Sequence, residues 1–398
     1  MNKLPEKTLG WGRSRSCIRE LMEYGVGRKA QIGADKVFDF SIGNPSVPAP
    51  DCVNAAIAEL IGGDSVALHG YTTAAGLPSL REAIAKQLNA RFGLNLTAAH
   101  LYVTCGAAAS LAISLRAILF PGDEVMVMAP FFPEYRVFVE ASGGVLVEVP
   151  PRESDFQIDL DAFRAALTDK TRAVMLNSPN NPSGVVLSEE TLRAVADILR
   201  AHEQATGATV YLISDEPYRE LVYDDVPVHS PVEFYDDAIM CYSFSKSLSI
   251  PGERIGYIAV SDRMATGADV YASIAGAGRA LGYVNPPSLF QRVMEKCLGT
   301  TTDVTPYREN RELLLGMLRE LGFTCIEPQG AFYVFMKSPE ADAKAFAEVA
   351  KRFELLLVPS DDFGVTGYVR IAYCVANDMI RRSRPAFEAL AAHYGLTK

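Results

Sequence analysis

The stretch LYVTCGAAASLAISLRAILFPGDEVMVMAPFFPEYRVFVEASGGVLVEV (101–149) decides the fold class. LYVT (101–104) is a short β-type run that stops at Gly106, and AASLAISLRAIL (108–119) continues as a helix with one apolar face. EVMVMAP (124–130) reads as the next strand, YRVFVEASG (135–143) as the next helix and VLVEV (145–149) as a third strand. These strand runs are nearly continuously apolar rather than alternating, which suits a sheet covered by helices on both faces. Toward the C-terminus the pattern goes on through RAVMLN (172–177), a helix from about Glu189 to Gln204, TVYLIS (209–214) and RIGYIAV (254–260). Strand–helix alternation over such a length predicts an α/β domain with a mostly parallel sheet.

Further out the rhythm changes. FTCIEP (323–328), AFYVFM (331–336), ELLLVP (354–359) and YVRIAYCV (368–375) are strands separated by one helix, at about 340–352, and a last helix ends the chain. A helix beginning within Thr302–Gly316 links the two regions. The expected organisation is a large domain over 48–290 and a smaller α+β domain from 1–47 and 291–398. A chain of 398 residues with 49% hydrophobic residues has material for more than one core and is too apolar for disorder.

Composition narrows the function classes. The formal charge of −10, with Lys and Arg scattered, argues against a nucleic-acid partner. The seven cysteines form no CxxC pair and their number is odd, which suits free thiols in a reducing compartment. The five histidines are dispersed, so no metal cluster is visible. MNKLPEKTLGWGRSRS lacks the apolar core of a signal peptide, and no apolar run approaches the roughly 20 residues of a membrane-crossing helix. A soluble, cytoplasmic protein is expected.

Five motifs carry chemistry. In SFSKSLSIPGERIGY (243–257) a lone Ser-Lys would be an ordinary surface lysine. Here Ser243, Ser245 and Lys246 are followed by Arg254 after a Pro-Gly turn. Two hydroxyls and a guanidinium make a phosphate site, and a lysine beside it suits a phosphorylated aldehyde cofactor, pyridoxal phosphate (PLP). SDEPYREL (214–221) puts Asp215 at the carboxyl end of a buried strand, where α/β proteins place ligands. Asp215 can face the pyridine nitrogen of PLP and keep it protonated, and Tyr218 can donate to the ring's phenolic oxygen. A helix-capping Asp is the plain alternative. NSPNNPSG (177–184) is either an Asn/Pro/Gly turn or the source of Asn181 as a second donor to that oxygen. TCGAAASL (104–111) leads a strand into a helix whose first N–H groups can bind phosphate, although small-residue turns of this kind are common. In YVRIAY (368–373), Arg370 interrupts an apolar strand; it needs either an internal partner or a substrate carboxylate.

With these residues in this order the chain resembles the class I/II aminotransferases, PLP enzymes of fold type I, nearest to bacterial aspartate aminotransferase-like members. The resemblance spans the chain, from FDFSIGNPSVPAP (38–50) and GYTTAAGLPSLREAIA (70–85) to the Arg370 strand. It implies a Schiff base at Lys246, with Asp215 on the pyridine nitrogen and Asn181 and Tyr218 on the phenolic oxygen. It implies a phosphate site from Ser243, Ser245, Arg254 and the backbone of Gly106, Ala107 and Ala108, and a stacking ring at Phe132. Gly43 and Asn181 would assist Arg370 on the substrate carboxylate. Tyr71 would reach the cofactor phosphate of a neighbouring subunit, which implies a homodimer with composite sites. One departure is Ala107–Ala109, where relatives often carry polar residues; Ala108 replaces a lysine that helps some aspartate aminotransferases hold a second carboxylate. Arg279 in GAGRALGYVNPP (276–287) is the preferred substitute for an aspartate or glutamate substrate, against a plain helix-end charge, with Arg15, Arg19 and Arg28 as further candidates. The same scaffold carries C–S β-lyases and aminocyclopropane-carboxylate synthase, and fold alone does not separate them. The DEPY and NNPSG forms are more similar to aminotransferases. A PLP-binding transcription regulator would need a DNA-reading module, and about 35 residues before FDFSIG are too few for one.

Overall fold

The computed structural model describes residues 4–13 and 16–396. Among them the central sheet has seven strands: β1 (Leu101–Thr104), β2 (Glu124–Met128), β3 (Val145–Val149), β4 (Thr171–Asn177), β5 (Tyr211–Asp215), β6 (Ala238–Ser243) and β7 (Gly256–Val260). They lie in the order β1-β7-β6-β5-β4-β2-β3. Pairing is parallel from β6 to β3, while β7 runs antiparallel to both β1 and β6. The sheet is therefore mostly parallel. β6 is a strand the apolar pattern did not single out, because its AIMCYS run passes straight into the serine–lysine motif. The strands are buried because helices cover both faces. Helices Asp51–Ile61, Pro78–Phe92 and Ser288–Cys297 pack one side with β1, β6 and β7, and helix Ala107–Ile118 packs the other.

This topology brings the carboxyl ends of β1, β4, β5 and β6 to one rim. Gly106, Asn177, Asp215 and Ser243 stand there, next to the start of helix Ala107–Ile118. It is where open α/β sheets place ligands.

A second, antiparallel sheet comprises β8 (Cys325–Ile326), β9 (Tyr333–Lys337), β10 (Val358–Pro359) and β11 (Tyr368–Ala372), in the order β10-β11-β9-β8. Helices Thr305–Glu320 and Asn377–His393 bury their apolar faces against it. Its core also takes in Phe40, from the segment after helix Cys17–Ile32, and Tyr218, from the rim of the large sheet. Phe38–Asp39 pairs in parallel with Leu355–Leu356. The N-terminal segment is thus tied to the C-terminal part, and one packed cluster spans the junction. None of the described helices is long and apolar enough to cross a membrane.

Candidate active site

A cleft of about 290 Å³ opens at that rim, facing β9 and β11. Lys246 sits in a short helical turn, Phe244–Ser247, directly after β6, and its Nζ donates to the Gly43 carbonyl oxygen at 2.7 Å. Burial pulls its pKa down to about 8; the Cys374 thiol opposes this, and Arg370 and Arg254 add to it.

Asp215 ends β5. Its Oδ2 accepts from the Tyr135 hydroxyl at 2.5 Å, while its Oδ1 is buried with no partner among the described residues. Burial raises this carboxyl to about 7; the Tyr135 hydrogen bond lowers it and the Glu216 charge raises it further. A buried carboxylate oxygen without a donor, on a residue that lines the cleft, is unfavourable until a cation or N–H group arrives. Tyr218 follows one turn later and shares a 2.8 Å hydrogen bond with the Tyr333 hydroxyl.

The other rim elements bring together two hydroxyls and a guanidinium, groups suited to an anion. Ser243 Oγ and Ser245 Oγ lie 2.7 Å apart, and Arg254 Nη1 reaches Ser245 Oγ at 3.5 Å. Arg254 adopts the left-handed conformation, φ 53°, which turns its side chain back toward the rim. Gly106 has φ 90°, and a Cβ there would come within 3.0 Å of Arg254 Nη2. The positive φ favours glycine here, and a side chain would crowd the Arg254 guanidinium. The N–H groups of Ala107–Ala109 open the next helix, whose own carbonyls cannot reach them. Ala107, Ala108 and Phe132 line the cleft beside them.

Arg370, 2% exposed, projects from β11. Its Nη1 donates to Asn181 Oδ1 at 3.0 Å and its Nη2 to the Ser41 carbonyl at 2.6 Å, while Nε has no partner among the described residues. Gly43 is close because a side chain there would collide with the Tyr333 hydroxyl, 2.0 Å from an ideal Cβ.

The cleft therefore gathers Gly43, Ala107, Ala108, Phe132, Asn181, Asp215, Tyr218, Ser243, Ser245, Lys246, Arg254 and Arg370 in a single protomer, with Gly106 at its rim. It does not gather Tyr71 or Arg279. Tyr71 is 97% exposed, and Arg279 is an exposed residue in the last turn of helix Gly267–Ala280. Asn285, in the segment that follows Arg279's helix, donates to the Thr72 carbonyl beside Tyr71. Arg28 is bound to Glu354 at 2.5 Å, Arg19 lines a neighbouring cavity with Glu134, Asp361 and Asp362, and Arg15 lies outside the described residues.

Other residues at the site did not stand out in the sequence. Tyr135 holds Asp215. Asn177 Nδ2 donates to the Asp215 carbonyl at 2.9 Å and its Oδ1 accepts from Asn181 N at 2.8 Å, which fixes two strand ends together. Tyr333 packs under the Arg370 guanidinium, 4.6 Å from ring centroid to Cζ. Ile18 enters the cleft from helix Cys17–Ile32. Tyr135 and Asn177 lie within APFFPEY and NSPNNPSG, so those motifs contained a signal for them; no local feature marks Tyr333 or Ile18.

Residues 35–384 match the family model for aminotransferase class I and II. The chain belongs to this family. Among its relatives, a probable aspartate/prephenate aminotransferase of Thermus aquaticus is 34% identical over 80% of this chain and 82% of its own length. A solved amino transferase from Eubacterium rectale is 50% identical, with a TM-score of 0.97 over 99% of this chain and all of its own. The aspartate aminotransferase of Thermus thermophilus, solved with maleate, is 28% identical, with a TM-score of 0.87 over 98% of this chain and all of its own. This aminotransferase is a PLP-dependent transaminase of fold type I. The unpartnered Asp215 oxygen, the paired serines under Arg254 and the buried amine between them fit the ring, phosphate and aldehyde of that cofactor.

Proposed function

We propose that this transaminase moves an amino group between aspartate or glutamate and a 2-oxo acid such as 2-oxoglutarate, in two half-reactions at the cleft around Lys246. In this reading Lys246 Nζ carries the cofactor, with Ser243, Ser245, Arg254 and the N–H groups at Gly106, Ala107 and Ala108 around its phosphate. Phe132 covers the ring, Asp215 holds the pyridine nitrogen, and Asn181 and Tyr218 face the phenolic oxygen. Bound PLP supplies an electron sink for the bond at the substrate's Cα. Arg370, held in place by Asn181 and the Ser41 carbonyl, receives the α-carboxylate, and the backbone at Gly43 closes that side. Lys246, freed as an amine when the substrate's amino group takes its place on the cofactor, takes the proton from Cα, a role suited by an amine whose pKa burial has lowered. The observation that carries the reading is the convergence of Lys246, the orphaned Asp215 oxygen and the Arg370 clamp on one cleft.

The choice of dicarboxylate rests on the relatives' names and on one cation. Lys246, Arg254 and Arg370 are the lysines and arginines lining the cleft among the described residues, and each already has a task. A second carboxylate needs a further partner. Arg279 is exposed and has no ion pair among the described residues, and the segment after its helix is tied to the Tyr71 segment through Asn285 and Thr72. A homodimer in which these segments close the neighbour's cleft would bring both residues to it. The exposed Tyr71, Leu281, Tyr283 and Val284 make them apolar enough to be covered.

Two measurements test this. Half-reactions followed by cofactor absorbance should be fastest with aspartate or glutamate, and Arg279→Ala should lower kcat/KM for these by about 30-fold, roughly 2 kcal/mol, while sparing aromatic donors. Equal losses on all donors remove Arg279 from substrate recognition, and a preference for aromatic donors overturns the substrate. Dimers mixed from Tyr71→Ala and Lys246→Ala subunits should regain activity that neither parent shows, because each mixed dimer contains one site with both residues. An active monomer in sedimentation at assay concentration contradicts the composite site.

The reading keeps a two-domain division but draws the boundary after helix Ser288–Cys297, since Val293, Met294 and Cys297 pack with the large sheet. A cytoplasmic location belongs to the same reading, supported by the free cysteines at all seven positions.

A further inference from the structure

Behind Asp215, away from the cleft, a single guanidinium holds together the elements that carry the chemistry. Arg219 belongs to the same turn as Asp215 and Tyr218 and is 3% exposed. Its Nη1 donates to Glu216 Oε2, its Nε to Glu220 Oε1 and its Nη2 to the Tyr257 hydroxyl, each at 3.0 Å. The guanidinium stacks 4.3 Å from the Tyr242 ring centroid and 5.5 Å from that of Phe92. Glu216 Oε1 is filled by the hydroxyls of Ser214 and Ser230. Glu220 also meets Arg91 at 3.3 Å, and its Oε2 faces the Tyr242 hydroxyl at 2.8 Å. That hydroxyl lies 2.8 Å from Ser247 Oγ, in the residue next to Lys246. A continuous polar chain thus runs from the Asp215 turn through Arg219, Glu220 and Tyr242 to the Lys246 turn.

We infer that Arg219 is a positioning residue that holds Asp215 in register with Lys246 and neutralises the Glu216 carboxylate beside Asp215. This rests on the roles given above to Lys246 and Asp215. Geometry alone singles out arginine: three acceptors in three directions, on β5's turn and on β7, need a planar fork that lysine lacks. Charge does the rest. Asp215, Glu216 and Glu220 are three neighbouring carboxyls, and Arg219 is the fully buried cation among them; Arg91 is partly exposed. Glu216 already pushes the Asp215 carboxyl upward. Without Arg219 that push grows, and Asp215 becomes a poorer anion for the pyridine nitrogen. Removing a buried cation from its partners leaves their charge uncompensated.

The test uses the PLP-loaded enzyme with Arg219→Gln, Arg219→Lys and Tyr242→Phe. Arg219→Gln should lower kcat by about tenfold with KM within about twofold, and should raise the pH midpoint of the holoenzyme's absorbance change by about half a unit or more, because the lost cation favours protonated forms. Arg219→Lys should restore the midpoint but only part of kcat. Tyr242→Phe removes no charge; it should leave the midpoint in place and lower kcat several-fold. If Arg219→Gln lowers the melting temperature but leaves both midpoint and kcat per bound cofactor unchanged, Arg219 is a fold staple and the inference is overturned. Should that variant not fold, a wild-type kcat in Tyr242→Phe overturns it instead. Borohydride labelling of the wild type at a lysine other than Lys246 overturns the site reading and this inference together, whereas labelling at Lys246 with unaffected variants overturns the inference alone.

Discussion

Lys246→Ala should abolish turnover, with a loss on the order of 10⁴-fold or more, and borohydride should attach the cofactor of the wild type to Lys246 and no other residue. The size follows from two functions in one atom. Nζ belongs to a residue lining the cleft, and in the proposed function it both carries the cofactor and, once freed, takes the substrate's Cα proton. Its surroundings suit both. Held 2.7 Å from the Gly43 carbonyl, it is fixed in position, and burial draws its pKa down to about 8, so near that pH a substantial fraction is free amine. An exposed lysine would be almost entirely protonated there. Binding should survive better than rate, because Ser243, Ser245 and Arg254 do not depend on Lys246 for their arrangement. The variant is therefore expected to keep PLP without the absorbance of the linked form. Attachment at a different lysine would remove Lys246 from the centre of the site.

Much of this arrangement is legible in the chain because its parts are local. A strand end, a turn and a helix start occupy a few residues each, and β1, β2, β3, β4 and β5 announce themselves as apolar runs bounded by Gly, Pro and Asn. Lys246 and Arg254 stand on one loop, and Asp215 and Tyr218 on one turn, so sequence spacing translates directly into spatial proximity. What the chain does not announce is reach between distant segments. Tyr135 meets Asp215 across 80 positions and Tyr333 meets Tyr218 across 115; each is an ordinary aromatic in an apolar context until packing brings it in. Ile18 is subtler, since the helix that carries it is held by backbone pairing at Phe38–Asp39 and by contacts with the 356–363 segment. Arg219 was visible as a letter of SDEPYREL, but its three acceptors come from two elements that only the fold aligns. Tyr71 and Arg279 lie outside the cleft of one protomer, and the roles proposed for them need a second copy of the chain.

Asp215→Asn should lower kcat by 10²- to 10³-fold, about 3–4 kcal/mol of transition-state stabilisation, while leaving PLP bound. In the proposed site the carboxylate keeps the pyridine nitrogen protonated. An amide lacks the charge that does so, yet it fills the same space beside Tyr135 and the same strand end, so the fold need not change. Without cofactor the same substitution should act in the opposite direction on stability. Burial raises the Asp215 carboxyl from its ordinary 3.8 to about 7 in the folded chain. Between those values the folded state holds a proton that the unfolded state has released, so stability falls as pH rises through this window. The cost of the buried charge is fully present above pH 7 and absent below about pH 4. Cofactor-free Asp215→Asn should consequently be more stable than cofactor-free wild type at pH 8, by up to a few kcal/mol, and the difference should shrink toward pH 4. Adding PLP should stabilise the wild type more than the variant, because only the carboxylate offers the incoming ring nitrogen a partner for its charge. Melting curves of both proteins, with and without cofactor, at pH 5 and pH 8 separate these terms. A variant with near-normal kcat would mean that another acid keeps the ring protonated, and a wild type whose cofactor-free stability does not change between those pH values would mean that Oδ1 is not the uncompensated charge the fold makes it.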